Sequence, residues 1–192
     1  MLLAAAALLA LGGCYVPTEF SAEIFVGRNG DFTLKYDGVL TNAGLVPGLM
    51  REDLGEEELA DRIANVQTDL ERDSGFRSVR YRGNGQYEVS YERSGNILEQ
   101  TSLTFVRADS RIFTIAYVRR TGENTVRGAS VPDAQRNWLA EVGLNMRGEL
   151  RIVTDARILD NNAVGTEEDE RGTAYICIIR DMNSPAPLLI IG

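Results

Sequence analysis

Phe20, Ala22, Ile24 and Val26 alternate with more polar neighbours, and after Gly27-Arg28-Asn29-Gly30 the alternation resumes at Phe32, Leu34 and Tyr36. A period of two puts these side chains on one face, which predicts a pair of half-buried strands. Asn29-Gly30 predicts a hairpin turn between them, since both residues tolerate positive φ. Residues 38–48 read as a connection with room for a short edge strand at Val39 and Leu40, and Pro47-Gly48 marks a turn. From Glu56 the period changes, because Leu59, Ile63, Val66 and Leu70 fall on one helical face while Asp61, Arg62, Asn65, Asp69 and Arg72 fall elsewhere. Asp53 is the expected N-cap, Glu56 to Glu58 suit the positive end of the helix dipole, and Gly75 ends the last turn.

Four strands are predicted next, over residues 76–82, 86–92, 102–107 and 111–119. Their connections, Gly83-Asn84-Gly85, Ser94-Gly95-Asn96 and Asp109-Ser110, are short and rich in turn formers, so the strands form an antiparallel meander. Residues 121–129 read as a polar loop. Ser130-Val131-Pro132-Asp133 then opens a short helix through Trp138 and Leu139 that ends near Gly143. Residues 149–154, 156–159, 173–180 and 188–191 are strand-like, with an acidic polar loop over 161–172. The expected fold class is therefore α+β. Hairpin, helix, meander and terminal strands build an antiparallel β-sheet with one main amphipathic helix packed on one face and a short second helix.

The chain has 192 residues, enough for one domain with a sizeable core. A net charge of −8 repels a phosphate backbone, so no nucleic-acid partner is expected. Histidine is absent from the sequence, which removes Ser-His and Cys-His catalysis and His-ligated zinc. Cys177 lies in Tyr175-Ile176-Cys177-Ile178-Ile179, whose apolar density predicts a buried strand and an inert thiol.

Residues 2–11 form an uncharged Leu/Ala run, too short to span a bilayer, that ends in Leu11-Gly12-Gly13-Cys14. This stretch resembles the lipobox of bacterial lipoproteins. The resemblance implies a signal peptide over residues 1–13, cleavage between Gly13 and Cys14, and palmitate-type lipidation of Cys14. No Lys or Arg precedes Arg28, a departure from the charged opening of such leaders that is expected to reflect a start further upstream. Residues 14–18 are then the lipidated Cys and a short tether, and residues 19–192 the domain. Four tether residues reach at most ~14 Å, so the domain rides close to the headgroups.

Several side-chain groups invite chemistry. Asp160, Asn162 and Gly165 fit three positions of a calcium loop, but Val164 offers no side-chain oxygen and Arg171 stands where a bidentate Glu belongs. Thr166-Glu167-Glu168-Asp169-Glu170 is therefore read as a solvated acidic loop, with no metal or cofactor expected. Arg77, Arg80, Arg82, Arg93, Arg107, Arg111, Arg119 and Arg120 gather on the meander and its turns. They read as an exposed face of mixed charge, with a patch facing lipid headgroups as the sharper alternative. Tyr87, Val89 and Tyr91 share one face, and Phe113, Ile115 and Tyr117 another. These faces form either a filled core or an apolar groove for an acyl chain.

Residues 148–156, Gly-Glu-Leu-Arg-Ile-Val-Thr-Asp-Ala, with Asn161-Asn162-Ala163 and the ending Pro187-Leu188-Leu189-Ile190-Ile191, are similar to the closing strands and polar loop of the LppM-type domain of bacterial lipoproteins. That resemblance implies a cell-envelope protein facing the periplasm or exterior, with a domain that binds lipid and no enzymatic activity. The leading expectation is a membrane-anchored module that holds lipid or glycolipid in a cavity between helix and sheet. The alternative is an assembly subunit with a solid core, joining an envelope complex through a sheet edge or apolar patch.

Overall fold

In the computed structural model, which describes residues 15–51, 55–107 and 110–192, strand geometry begins at the first described residue. β1 (Tyr15–Val26) pairs antiparallel with β2 (Asp31–Asn42). Gly30 takes a φ of 85° in the turn between them, and Asn29 Oδ1 accepts from the Asp31 amide at 3.1 Å. The expected Asn-Gly turn is thus present, but both strands run longer than the alternation suggests. Tyr15 to Thr18, expected as tether, are the opening of β1, with Tyr15 and Val16 buried. β2 continues through Gly38 to Asn42, so the predicted connection starts only there. Pro47-Gly48, read as a turn, lies inside α1 (Val46–Arg51), where a Pro in the first turn forfeits no helical hydrogen bond.

α2 (Glu56–Glu71) forms where the 3.6 period predicts it, with three glutamates in its first turn. Gly55 occupies the N-cap position, and Asp53 lies outside the described residues. Of this helix only Leu70 is fully buried, with Ile63 and Val66 half-buried against the core, so α2 covers only part of one sheet. The helix meets the first sheet where the buried Tyr87 donates its Oη to the Ile63 carbonyl at 3.0 Å. A second sheet closes the core instead.

β3 (Phe76–Gly83) and β4 (Gln86–Asn96) form a hairpin that extends the first sheet. The chain then passes through α3 (Ile97–Gln100), whose C-cap Thr101 has a φ of 65°, and enters another sheet. That sheet holds β5 (Ser102–Arg107), β6 (Ser110–Val118) and β7 (Glu123–Gly128). After α4 (Asp133–Glu141) come β8 (Arg147–Thr154), β9 (Ile158–Asn161), β10 (Gly165–Asp169), β11 (Gly172–Ile179) and β12 (Leu188–Ile191). The seven-stranded sheet has the order β10-β11-β8-β1-β2-β4-β3, and the five-stranded sheet the order β5-β6-β7-β12-β9. β1 and β8 pair in parallel, which seats the first strand in mid-sheet, and the other pairings are antiparallel.

These sheets overturn the α+β expectation with its single sheet and main covering helix. Among the described residues strand far outweighs helix, with twelve strands in two large sheets against four short stretches of helix, so the fold is mostly β. Alternation reports that one face of a strand is buried, but not which sheet the strand joins. The predicted meander is therefore split between two sheets. β7 and β10, expected as polar loops, are strands whose ladder hydrogen bonds satisfy the backbone whatever the side chains. The sheets meet through aromatic side chains: Phe105 lies 4.7 Å from Tyr36 and 4.7 Å from Tyr91, and Phe20 meets Phe113 edge-on at 5.7 Å. Such ring pairs add roughly 0.5–1.5 kcal/mol each beyond the area they bury.

Candidate functional site

Among the described residues, the core is not filled at one end of the two sheets. A cavity of about 230 Å³ lies between the start of β1, the start of β6, the segment after β7, and α4. Tyr15, Val16 and Pro17 form one wall, and all three are buried although successive residues of a strand point to opposite faces. This is possible because the register slips between Pro17 and Glu19, a bulge that turns the first residues of β1 away from the regular pleat. Tyr15 N donates to Ser110 Oγ at 3.0 Å, tying the first strand to the opposite sheet at the cavity wall. Ile112 and Phe113 continue that wall along β6.

The cover is built after β7. Gly128 packs against Pro187, whose Cδ would stand 2.5 Å from a Cβ at 128, and its amide bonds the Pro187 carbonyl at 2.8 Å. Ala129 N bonds the Ile112 carbonyl at 2.8 Å, and Arg136 Nη1 donates to the Val131 carbonyl at 3.1 Å. α4 is thereby set so that Trp138 and Leu139 face the cavity. Burial shows which side is open. Leu139, Met146, Ile179 and Phe113 are buried, whereas Arg111, Ala129 and Ser130 are exposed and so form the rim. Among the described lining residues Arg111 is the charged one; the others are apolar apart from the Tyr15, Ser110 and Ser130 hydroxyls and the Trp138 ring N–H.

The cavity thus lies between two sheets and not, as expected, between helix and sheet. Cys14 and Gly13, assigned to lipidation and cleavage, lie outside the described residues, but the residue that follows them is part of the cavity wall. Of the two predicted faces, Tyr87, Val89, Tyr91 and Ile115 are buried in a filled core and Tyr117 is half-buried, while Phe113 also lines the chamber. Cys177 is buried in β11, and burial pushes its thiol up to about 11. The proposed arginine group is dispersed. Arg77 faces Glu92 at 3.8 Å, Arg80 pairs with Glu88, Arg107 meets Asp69 at 2.6 Å, and Arg111 sits on the cavity rim.

The acidic segment is an edge strand held by arginine. Arg151 reaches Glu167 at 2.6 Å and Asp169 at 2.9 Å, and Arg171 reaches Glu23 at 2.8 Å and Asp169 at 3.0 Å. The Arg171 and Arg151 guanidiniums hold the Asp169 carboxyl well below the usual carboxylate range. Asn162, of the calcium-loop reading, bonds the Ala186 carbonyl and the Leu188 amide at 2.8 Å each. Among the described residues no three His, Cys, Asp or Glu converge in a way that could hold a metal ion. The cavity left little trace in the hydrophobic pattern, since its lining comes from short stretches spread between residues 15 and 187. Its one local signal is the unbroken Tyr15-Val16-Pro17 run, apolar on both faces of a strand.

The fold and the cavity define a two-sheet β protein with an apolar chamber between the sheets. No family model matches the chain, and no curated protein does either. Among solved structures it is similar to the folded domain of LppM from Mycobacterium tuberculosis, determined by NMR, with 10% identity and a TM-score of 0.46 over 93% of this chain and 91% of that one. The likeness is one of distant fold alone.

Proposed function

We propose that this protein is a membrane-anchored lipoprotein of the bacterial envelope whose domain binds lipid hydrocarbon in the chamber between its sheets, as a binding module and not as an enzyme. The carrying observation is that the chamber wall is Tyr15, Val16 and Pro17, the residues directly after Cys14. Consecutive Cα atoms stand about 3.8 Å apart, so a lipid on residue 14 would hold the chamber at the membrane surface. A hydrocarbon chain leaving that membrane would reach the apolar lining with little exposure to water. Each buried methylene is worth about 0.8 kcal/mol, enough for a short segment of chain to hold a ligand.

Native mass spectrometry of the full chain purified from a bacterial envelope tests this reading. The expected result is a non-covalent lipid retained at one per protein. Lipid-free protein that captures a specific envelope protein would replace it with the assembly role. Lipidation is tested separately: Cys14→Ser abolishes palmitate labelling, and labelling that persists refutes the assignment.

A further inference from the structure

We infer that the chamber is a site for one hydrocarbon chain at a time, and that it prefers a single-chain amphiphile with an anionic end, such as a fatty acid, over a diacyl lipid. This rests on the lipid-binding reading and narrows it. The first ground is size. A cavity of about 150 Å³ accepts benzene, so at the same ratio the 230 Å³ available here accepts about nine carbon atoms. That volume holds part of one acyl chain, and a second chain has no room beside it. The second ground is polarity along the chamber. The inner end is closed by Phe20, Phe113 and Ile179, with no charged group among them, while Arg111 stands on the exposed rim. A chain seated tail-first leaves its head at that rim. A guanidinium carries five N–H donors in a fork that matches a carboxylate, so Arg111 can serve a ligand alongside the protein contact it already makes. The third ground is the cover: Trp138, the sole tryptophan of the chain, lines the chamber and reports on whatever fills it.

The test uses the purified full chain, Trp138 fluorescence and saturated fatty acids of 6 to 16 carbons. Brominated decanoate is expected to quench Trp138 at a stoichiometry of one. Affinity is expected to rise about fourfold per methylene up to about ten carbons and to level off beyond. Decanoate is expected to bind at least tenfold more tightly than decanol, and Arg111→Gln to erase that difference. Ala129→Leu, a change at an exposed rim position, is expected to weaken binding tenfold without moving the thermal midpoint. Phosphatidylglycerol with two oleoyl chains, displacing brominated decanoate as effectively as decanoate does or binding together with it, would overturn the single-chain inference and leave the lipid-binding reading intact. Failure of brominated decanoate to quench Trp138, with no lipid retained in native mass spectra, would remove both.

Discussion

Gly148 lies directly opposite Phe20 in the parallel β1–β8 pair, and a Cβ on residue 148 would stand 2.5 Å from Cδ1 of the Phe20 ring and 2.5 Å from its carbonyl oxygen. On the other side of Phe20 the opposing residue is Gly38, where a Cβ would stand 2.7 Å from the Phe20 Cα and closer still to the Glu19 carbonyl. One row of the sheet therefore reads Val89, Gly38, Phe20, Gly148, Ile179, with a bare position on each side of the aromatic ring. The ring uses that space to stack on Tyr36 at 5.6 Å and to close the inner end of the chamber.

Gly148→Ala and Gly38→Ala are each expected to destabilise the fold by roughly 1–3 kcal/mol, the usual cost of forcing extra volume into a packed site. The added methyl meets backbone at both positions, and the Phe20 ring as well at 148, so neither position relaxes by rotation of a side chain alone. Urea denaturation measures this as a lower midpoint at unchanged slope. An unchanged midpoint for both variants would show that the row has room to spare.

Asp169 carries a pH dependence whose sign follows from its depressed ionisation. The unfolded chain takes up a proton on this group near pH ~3.9, whereas the folded protein, with Arg171 and Arg151 on the carboxylate, does so only at lower pH. The contribution to stability is full above the unfolded value and is lost as pH falls toward the folded one. Asp169→Asn is expected to be less stable than wild type by a constant amount from about pH 7 to 5, with the gap narrowing below about pH 4. Urea midpoints across that range check it, and a gap that widens in acid would refute the assignment.

The helix at Glu56–Glu71 and the Asn29-Gly30 turn were legible because their signals are local: a 3.6 period, a run of acid at a helix start, two residues that accept positive φ. What a strand pairs with is not local. Leu103, Phe105 and Ile115 alternate just as Tyr87, Val89 and Tyr91 do, yet the two sets face each other from different sheets. The chain crosses between sheets at Asn96 to Thr101, where Asn96 Oδ1 accepts from the Leu98 amide at 3.0 Å and opens α3, and Asn96 within Ser94-Gly95-Asn96 reads equally well as a hairpin turn. β10 shows the opposite case. Glu167 and Asp169 look like loop until Arg151, sixteen and eighteen residues earlier in sequence, is seen to span both carboxylates.

Cys177 offers a reading of core access. Burial pushes its thiol up to about 11, against about 8.5 for an exposed cysteine, so the folded protein keeps it neutral while the unfolded chain ionises it. Stability from this group is full below the unfolded value and is lost as pH rises toward the folded one. In the Cys14→Ser variant, where Cys177 is the remaining thiol, a disulfide reagent at pH 8 is expected to react only as fast as the protein opens, with the rate rising in step with the unfolded fraction in urea. Fast reaction of that variant in its native state at pH 8 would mean that β11 opens independently of the two-sheet core.

Among the described residues, Asn124 is the core side chain with a buried polar atom left unpartnered, and it works against the fold. It lies in β7 opposite Tyr117 and Ile191, is 7% exposed, and its Oδ1 is buried with no hydrogen-bond partner. A buried acceptor without a donor costs about 1–3 kcal/mol, the desolvation that folding imposes and no bond returns. Its neighbours on the inner face of the second sheet, Val126 and Leu189, are apolar and buried, so a side chain of similar volume without the amide suits the site better. Asn124→Leu is therefore expected to raise the unfolding free energy by about 1 kcal/mol, which for a domain of this size is a rise of roughly 2–4 °C in Tm. Differential scanning calorimetry measures it directly. A fall in Tm would show that the amide makes an interaction worth more than its desolvation, and that the inner end of the second sheet is wetter than its packing indicates.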